Sequence, residues 1–277
     1  MAGRLEGKVA FITGAAKSQG RSHAIRLAQE GADIIAVDIL EDIATAPYAM
    51  GTQEEMDETV RAVEALDRRI VARQADVRDS ARLTEVLDEG VAELGRLDIV
   101  SAGAGIVSGF RPSEEIDEQT WQDMIDINLT GVWKTCNAAI PHLRASGGGS
   151  ITITSSVVAL KPAQNVVHYV AAKMGVIGVM RVLALELAKD KIRVNTIHPT
   201  TVATDMTFMQ PMYDLFRPDL ENPTKEDFLE VTHTLNPYPV DLIESIDLSN
   251  ALLFLASDEA RYVTGIEFPV DAGNHIG

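Results

Sequence analysis

Seven short runs rich in Val and Ile recur along the chain, at 9–13, 33–38, 70–77, 97–101, 150–155, 193–197 and 266–270. Most are apolar at successive positions rather than alternate ones, which is the pattern of a strand covered on both faces. The stretches between them carry the period of a helix. Parallel strands cannot be joined by a tight turn and need a crossover, which helices supply. The expected architecture is α/β: one doubly wound domain over 1–277, with a seven-stranded parallel sheet flanked by helices on both faces.

Composition narrows the function. The 277 residues include 24 Lys and Arg against 41 Asp and Glu, a formal charge of −17. Neutralising phosphates needs a basic face, so no nucleic-acid partner is expected, and an anionic membrane surface is disfavoured on the same ground. One cysteine, Cys136, cannot make an internal disulfide or a thiolate metal cluster. The six histidines are scattered and form no H-E-x-x-H, so no metal site is expected. No apolar run reaches the ~18 residues of a membrane span, and the first residues do not read as a secretory signal. A soluble, cytoplasmic protein is the expectation.

Two segments break the alternation. An insertion over about 39–69 contains Pro47, Gly51 and a helix predicted for 53–66, with Met56, Val60 and Val63 on one face. A second segment, about 200–240, contains five prolines and the bulky Met206, Phe208, Met209, Met212, Tyr213 and Phe216. A connection this long is usually a lid or binding loop, here an adaptable apolar lid over a substrate.

The first strand runs into Gly14-Ala-Ala-Lys-Ser-Gln-Gly20 and then a helix to about Gln29. Gly14 permits a tight turn, Gly20 permits close approach, and the unpaired N–H groups of a helix start attract a pyrophosphate. Asp38 closes the second strand. A carboxylate there can accept from both ribose hydroxyls of a dinucleotide and would repel a 2′-phosphate, which favours NAD over NADP. Asp76, at the end of the third strand, could accept from the adenine amino group.

The chemistry rests on Tyr169 and Lys173, four residues apart on a helix predicted for 166–187 and therefore on one face. An ammonium beside a phenol favours phenolate, and such a tyrosine can exchange a proton with an alcohol or carbonyl while hydride moves. Ser156, at the end of the fifth strand, could bond the substrate oxygen. A surface Tyr–Lys pair and a turn serine are the plain alternatives. No G-x-S-x-G or G-x-x-x-x-G-K-[ST] occurs, which removes an α/β hydrolase and a P-loop NTPase.

These motifs stand in one order: TGAAKSQG at 13–20, ADV at 75–77, AGAG at 102–105, Asn128, Ser156, Tyr169 with Lys173, and HPTTVAT at 198–204. In that order the chain resembles the short-chain dehydrogenase/reductase family over nearly its whole length. The resemblance implies a Rossmann-type fold and a catalytic tetrad of Asn128, Ser156, Tyr169 and Lys173, in which Asn128 holds a water that links Lys173 to a proton relay. It implies cofactor contacts from Gly14, Lys17, Ser18, Gln19, Gly20, Asp38, Asp76, Val77, Gly103, Ala104, Gly105, Tyr169, Lys173, Val202 and Thr204.

QGRSHA at 19–24, the segment 46–66 and FRPDLENPTKEDF at 216–228 are similar to the mycofactocin-associated, carveol-dehydrogenase-like group. That likeness implies tightly held NAD and an apolar, terpenoid-like secondary alcohol or ketone as substrate. An external redox partner is possible on the same likeness. A homotetramer is implied too, with the helix 120–137 and the tail 262–277 as candidate contacts. The other readings are a 3-oxoacyl thioester reductase, which Asp38 and the acidic charge oppose, and a non-catalytic NAD-binding sensor or scaffold, which would be expected to lack Tyr169 or Lys173.

Three positions depart from the family pattern. Ser18 replaces the middle glycine of the turn, Gly103 replaces an Asn that braces the sheet edge, and Thr200 replaces the Gly after Pro199.

Overall fold

The computed structural model describes residues 3–277. Seven strands, β1 (Val9–Thr13), β2 (Asp33–Asp38), β3 (Ile70–Gln74), β4 (Ile99–Ala102), β5 (Gly149–Thr154), β6 (Ile192–Pro199) and β7 (Glu267–Val270), form one sheet. Its order is β3-β2-β1-β4-β5-β6-β7 and every pairing is parallel. The order reverses between β1 and β4, and a crevice opens beyond the carboxyl ends of the strands at such a reversal.

Both faces of the sheet are covered, which is why the strands read as continuous apolar runs. On one side α3 (Ser80–Leu94), α5 (Val132–Ala145) and α6 (Val167–Leu187) pack through Leu83, Leu87, Cys136, Leu143, Val176 and Met180. On the other, α1 (Ser18–Gln29) and α9 (Ser245–Ala256) pack through Ala24, Leu27, Leu248 and Leu252. A third, smaller cluster joins Ile43, Met50, Val77, Ile106, Met124 and Ile127 at the carboxyl end of the sheet, with Tyr48 and Tyr169 against it. Here the insertion folds back over the crevice.

Several boundaries differ from the sequence reading. β3 stops at Gln74, because Asp76 Oδ1 accepts from the Arg78 amide in a turn. Asp76 and Val77 therefore lie just past the strand. The insertion helix α2 (Gln53–Glu64) is held at its start by a capping box between Thr52 and Glu55. The helix expected over 120–137 is three pieces: α4 (Glu118–Ile125), a π-helical turn (Asp126–Gly131) and α5. The segment 200–240 carries two helices, α7 (Gln210–Phe216) and α8 (Lys225–Leu235), joined by Tyr213 and Phe216 against buried Phe228. Among the described residues no helix is long and apolar enough to cross a membrane, and no cluster of His, Cys, Asp or Glu could hold a metal.

Candidate active site

Two adjoining clefts occupy the carboxyl edge of the sheet. The first spans about 900 Å³, partly open to solvent, and Gly14, Lys17, Ser18, Gln19, Gly20, Asp38, Asp76, Val77, Gly103, Ala104, Gly105 and Thr204 all line it. Gly14 has φ +73°, in the left-handed region. A Cβ on Gly20 would lie 1.9 Å from the Gly14 carbonyl oxygen, so the turn closes on itself only with glycine there. The constraint comes from the protein's own backbone rather than from a ligand. Helix α1 begins at Ser18, two residues before Gly20, and no side chain caps its first turn, whose Ser18, Gln19 and Gly20 line the cleft.

Asp38 is nearly buried, its Oδ2 accepting from the Ala16 amide at 2.9 Å and its Oδ1 from the Ile39 amide at 2.8 Å. Burial pushes its carboxyl above the usual range, against the pull of those amides. Asp76 lines the cleft but spends Oδ2 on the Arg78 guanidinium at 2.7 Å. Lys17 also lines it, yet its ammonium is committed to Asp205 at 2.6 Å and the Ala49 carbonyl at 3.2 Å.

The departures from the family pattern have local accounts. Ser18 adopts φ +50°, taking on the strain a glycine would avoid. At Gly103, bracing comes from Thr13, whose hydroxyl accepts from the amides of Gly103 (3.1 Å) and Ala104 (3.2 Å). Thr200 joins a polar cluster, accepting from Asn274 Nδ2 at 3.2 Å and donating to Asn236 Oδ1 at 3.4 Å.

The second cleft, about 1330 Å³, holds Ser156, Tyr169, Lys173 and Val202. Much of its wall is apolar, including Val107, Phe110, Val158, Val166, Leu215 and Leu235. Of the lid side chains, Met206, Met212 and Phe216 reach it. Phe208 lies instead under the Lys225 ammonium, Met209 is buried, and Tyr213 packs on Phe228. Gln19, Gly103, Gly105, Ile106, Thr204 and Met206 border both clefts.

Tyr169 and Lys173 project from adjacent turns of α6, with Lys173 Nζ 5.7 Å from the phenol ring centre and donating to the Thr154 carbonyl at 2.9 Å. The sequence suggests a phenol made more acidic by the ammonium. In the structure burial dominates: it raises the Tyr169 phenol, the hydrogen bond to Ser156 opposing it, and it pushes the Lys173 amine down to about 8. Both groups are thus biased toward neutrality. Ser156 caps a short 3₁₀ turn just past β5, its Oγ accepting from the Val158 amide at 3.3 Å.

Asn128 lies in the π turn, fully buried, and lines neither cleft. Its Oδ1 accepts from the Ile106 amide at 2.8 Å and its Nδ2 donates to the Ile106 carbonyl at 2.7 Å. A Cβ on Gly105 would come within 2.9 Å of Asn128 Oδ1 and 3.5 Å of Lys173 Nζ, so these three positions adjoin. His168 is fully buried beside Tyr169 with neither ring nitrogen partnered.

Sequence reasoning missed Tyr48, a half-buried insertion residue whose hydroxyl accepts from the Val107 amide at 3.2 Å and which borders the first cleft. It also missed the buried His198 behind Ser156. Pro47 beside Tyr48 was the one local signal of a turn that could bring the insertion back over the sheet.

The model of the family "short chain dehydrogenase" matches residues 8–211. The chain is 55% identical over 274 residues to a (−)-trans-carveol dehydrogenase of Rhodococcus erythropolis, covering 99% of each. A crystal structure of carveol dehydrogenase from Mycobacterium avium in complex with NAD is 54% identical with a TM-score of 0.97, covering 99% of this chain and 100% of that one. A short chain dehydrogenase from Mycobacterium paratuberculosis bound to NAD is 42% identical with a TM-score of 0.91, over 99% and 100%. With its sheet order, glycine turn and Ser–Tyr–Lys cluster, the chain belongs to the short-chain dehydrogenase family.

Proposed function

We propose that the protein is an NAD-dependent dehydrogenase of apolar, cyclic secondary alcohols of the carveol type, and in reverse a reductase of the matching ketones. The observation that carries this reading is the meeting of Ser156, Tyr169 and Lys173 in one apolar cleft, Tyr169 and Lys173 one helical turn apart, sharing a wall with a glycine-lined cleft.

The first cleft fits a dinucleotide. Gly14, Gly20, Gly103 and Gly105 line it without side chains, the uncapped start of α1 suits a pyrophosphate, and Asp38 suits ribose hydroxyls. By the family resemblance, Val202 and Thr204, which line the second cleft, would hold the nicotinamide amide. Bound, oxidised NAD supplies a hydride acceptor and a positive charge that favours phenolate over phenol.

The remaining steps belong to the chain. Ser156 donates to the substrate oxygen and orients the carbinol. Tyr169 takes the hydroxyl proton as the carbinol C–H leaves as hydride, so the alcohol loses H⁺ and H⁻ and becomes the ketone. Lys173, held by the Thr154 carbonyl, steadies the phenolate. The relay water that the family resemblance implies at Asn128 would need an anchor other than the side-chain amide, which Ile106 occupies.

The same reading includes a homotetramer. Trp121 and Trp133 on the α4–α5 unit, and Val182, Leu185 and Tyr262, are exposed apolar side chains of the kind a subunit contact covers. Gel filtration is expected to give the mass of four chains; a monomer overturns the assembly. The likeness of 46–66 and 216–228 to the mycofactocin-associated group supports an external redox partner.

Tyr169→Phe tests the chemistry. With a panel of cyclic secondary alcohols, turnover followed near ~340 nm should fall by about 10²–10⁴-fold while NAD still binds. A Phe variant that keeps its turnover removes Tyr169 as the acid/base.

A further inference from the structure

His198 is fully buried at the end of β6, behind Ser156. The β5–β6 ladder pairs Gly149 with Ile192 through Thr154 with Ile197, and the Ser155 amide extends it once more to the Ile197 carbonyl at 2.8 Å. Ser156 is the first residue beyond that ladder. There a side chain replaces the backbone partner: His198 Nδ1 lies 3.1 Å from the Ser156 carbonyl oxygen. The same oxygen accepts from the Ala159 amide at 3.1 Å.

A carbonyl oxygen has two lone pairs, and both are occupied here. The Ser156–Val157 peptide plane is thereby fixed, and with it the direction in which the Ser156 Cβ leaves the backbone. The carbonyl can only accept, so Nδ1 carries the ring proton, and Nε2 accepts from the Thr196 hydroxyl at 2.8 Å. Burial holds the imidazole below its usual pKa, which keeps that neutral tautomer. Every polar atom of the ring is used, and none faces a substrate.

We infer that His198 is a positioning residue, whose Nδ1–H aims the Ser156 hydroxyl at the substrate oxygen through the Ser156 carbonyl. The inference rests on the role proposed above for Ser156. Neighbouring contacts give each residue at the end of β5 its own anchor. Thr154 accepts from Lys173 Nζ, Ser155 Oγ donates to the Lys173 carbonyl at 2.9 Å, and Ser156 takes its anchor from His198. Losing the third would leave the Ser156 carbonyl held by the Ala159 amide alone, while Lys173 stays in place.

Three variants of the full-length enzyme separate this role from simple packing. His198→Asn places an amide N–H close to where Nδ1 stands; His198→Gln reaches the Nε2 position instead; His198→Leu has neither. With a cyclic alcohol and saturating NAD, Leu and Gln should lower kcat by about 10²-fold, the cost of a misplaced reacting group, and Asn should stay within about threefold. NAD affinity, read by fluorescence, should be unchanged in all three. In a Ser156→Ala background, His198→Leu should cost nothing further, because the group it positions is gone.

If His198→Leu does not fold, the Asn and Gln pair carries the test. Asn and Gln variants that lose alike, a His198→Leu enzyme with full kcat, or an undiminished Leu loss in the Ser156→Ala background overturns the role of His198 alone. A Ser156→Ala enzyme with full turnover overturns the reading of the serine, and the positioning role with it.

Discussion

Asn128 and Ile106 exchange two hydrogen bonds, the side-chain amide of one serving both the N–H and the C=O of the other. The pair pins the loop after β4 to the π turn, and that loop borders both clefts through Ile106. Asn128→Ala leaves two buried backbone groups without partners, at about 1–3 kcal/mol each, so a loss of roughly 2–6 kcal/mol is expected in denaturant unfolding. A loss below about 1 kcal/mol would mean that water replaces the amide at little cost.

Asp38 is expected to decide between cofactors. Asp38→Ala should weaken NAD more than NADP, because it removes both the ribose acceptor and the charge that repels a 2′-phosphate. Titration of each dinucleotide into the variant checks it. Equal weakening would show that the carboxylate serves only the Ala16 and Ile39 amides it already accepts from.

His23 predicts acid sensitivity. It is buried on α1 with Nδ1 2.8 Å from Ser249 Oγ on α9, and burial holds its imidazole at about 4 against an ordinary 6.5. Between those values the unfolded chain takes a proton that the folded chain refuses, so stability falls as pH drops from 6.5 toward 4. The group contributes roughly 3 kcal/mol to that slope. Denaturant melts of the wild type should therefore lose that much more than His23→Asn across the same range. Parallel pH profiles for the two proteins would show that His23 takes up its proton inside the fold.

Much of the architecture was legible because strands buried on both faces leave an unmistakable run of Val and Ile, and because glycine at 14 and 20 answers a steric demand of the turn itself. The Tyr169–Lys173 pair was legible for a related reason: helical periodicity alone puts the two on one face. What escaped depends on contacts far apart in sequence. Nothing near Tyr48 says that its hydroxyl will meet the Val107 amide, and nothing near His198 says that it will meet Ser156 forty-two residues earlier. The π turn at Asn128 was hidden too, since one extra residue in a helical ring barely disturbs the apolar period. The direction of the Tyr169 shift was misread because spacing reveals a charged neighbour but not the depth at which both groups lie.

Gln19, Gly103, Gly105, Ile106, Thr204 and Met206 stand between two chambers and belong to both. A party wall has no private side. Changing the side chain at any of these six positions also reshapes the seat of the dinucleotide, so redesign aimed at bulkier substrates has more freedom at Phe110, Val158 or Leu215, which only the outer room can feel.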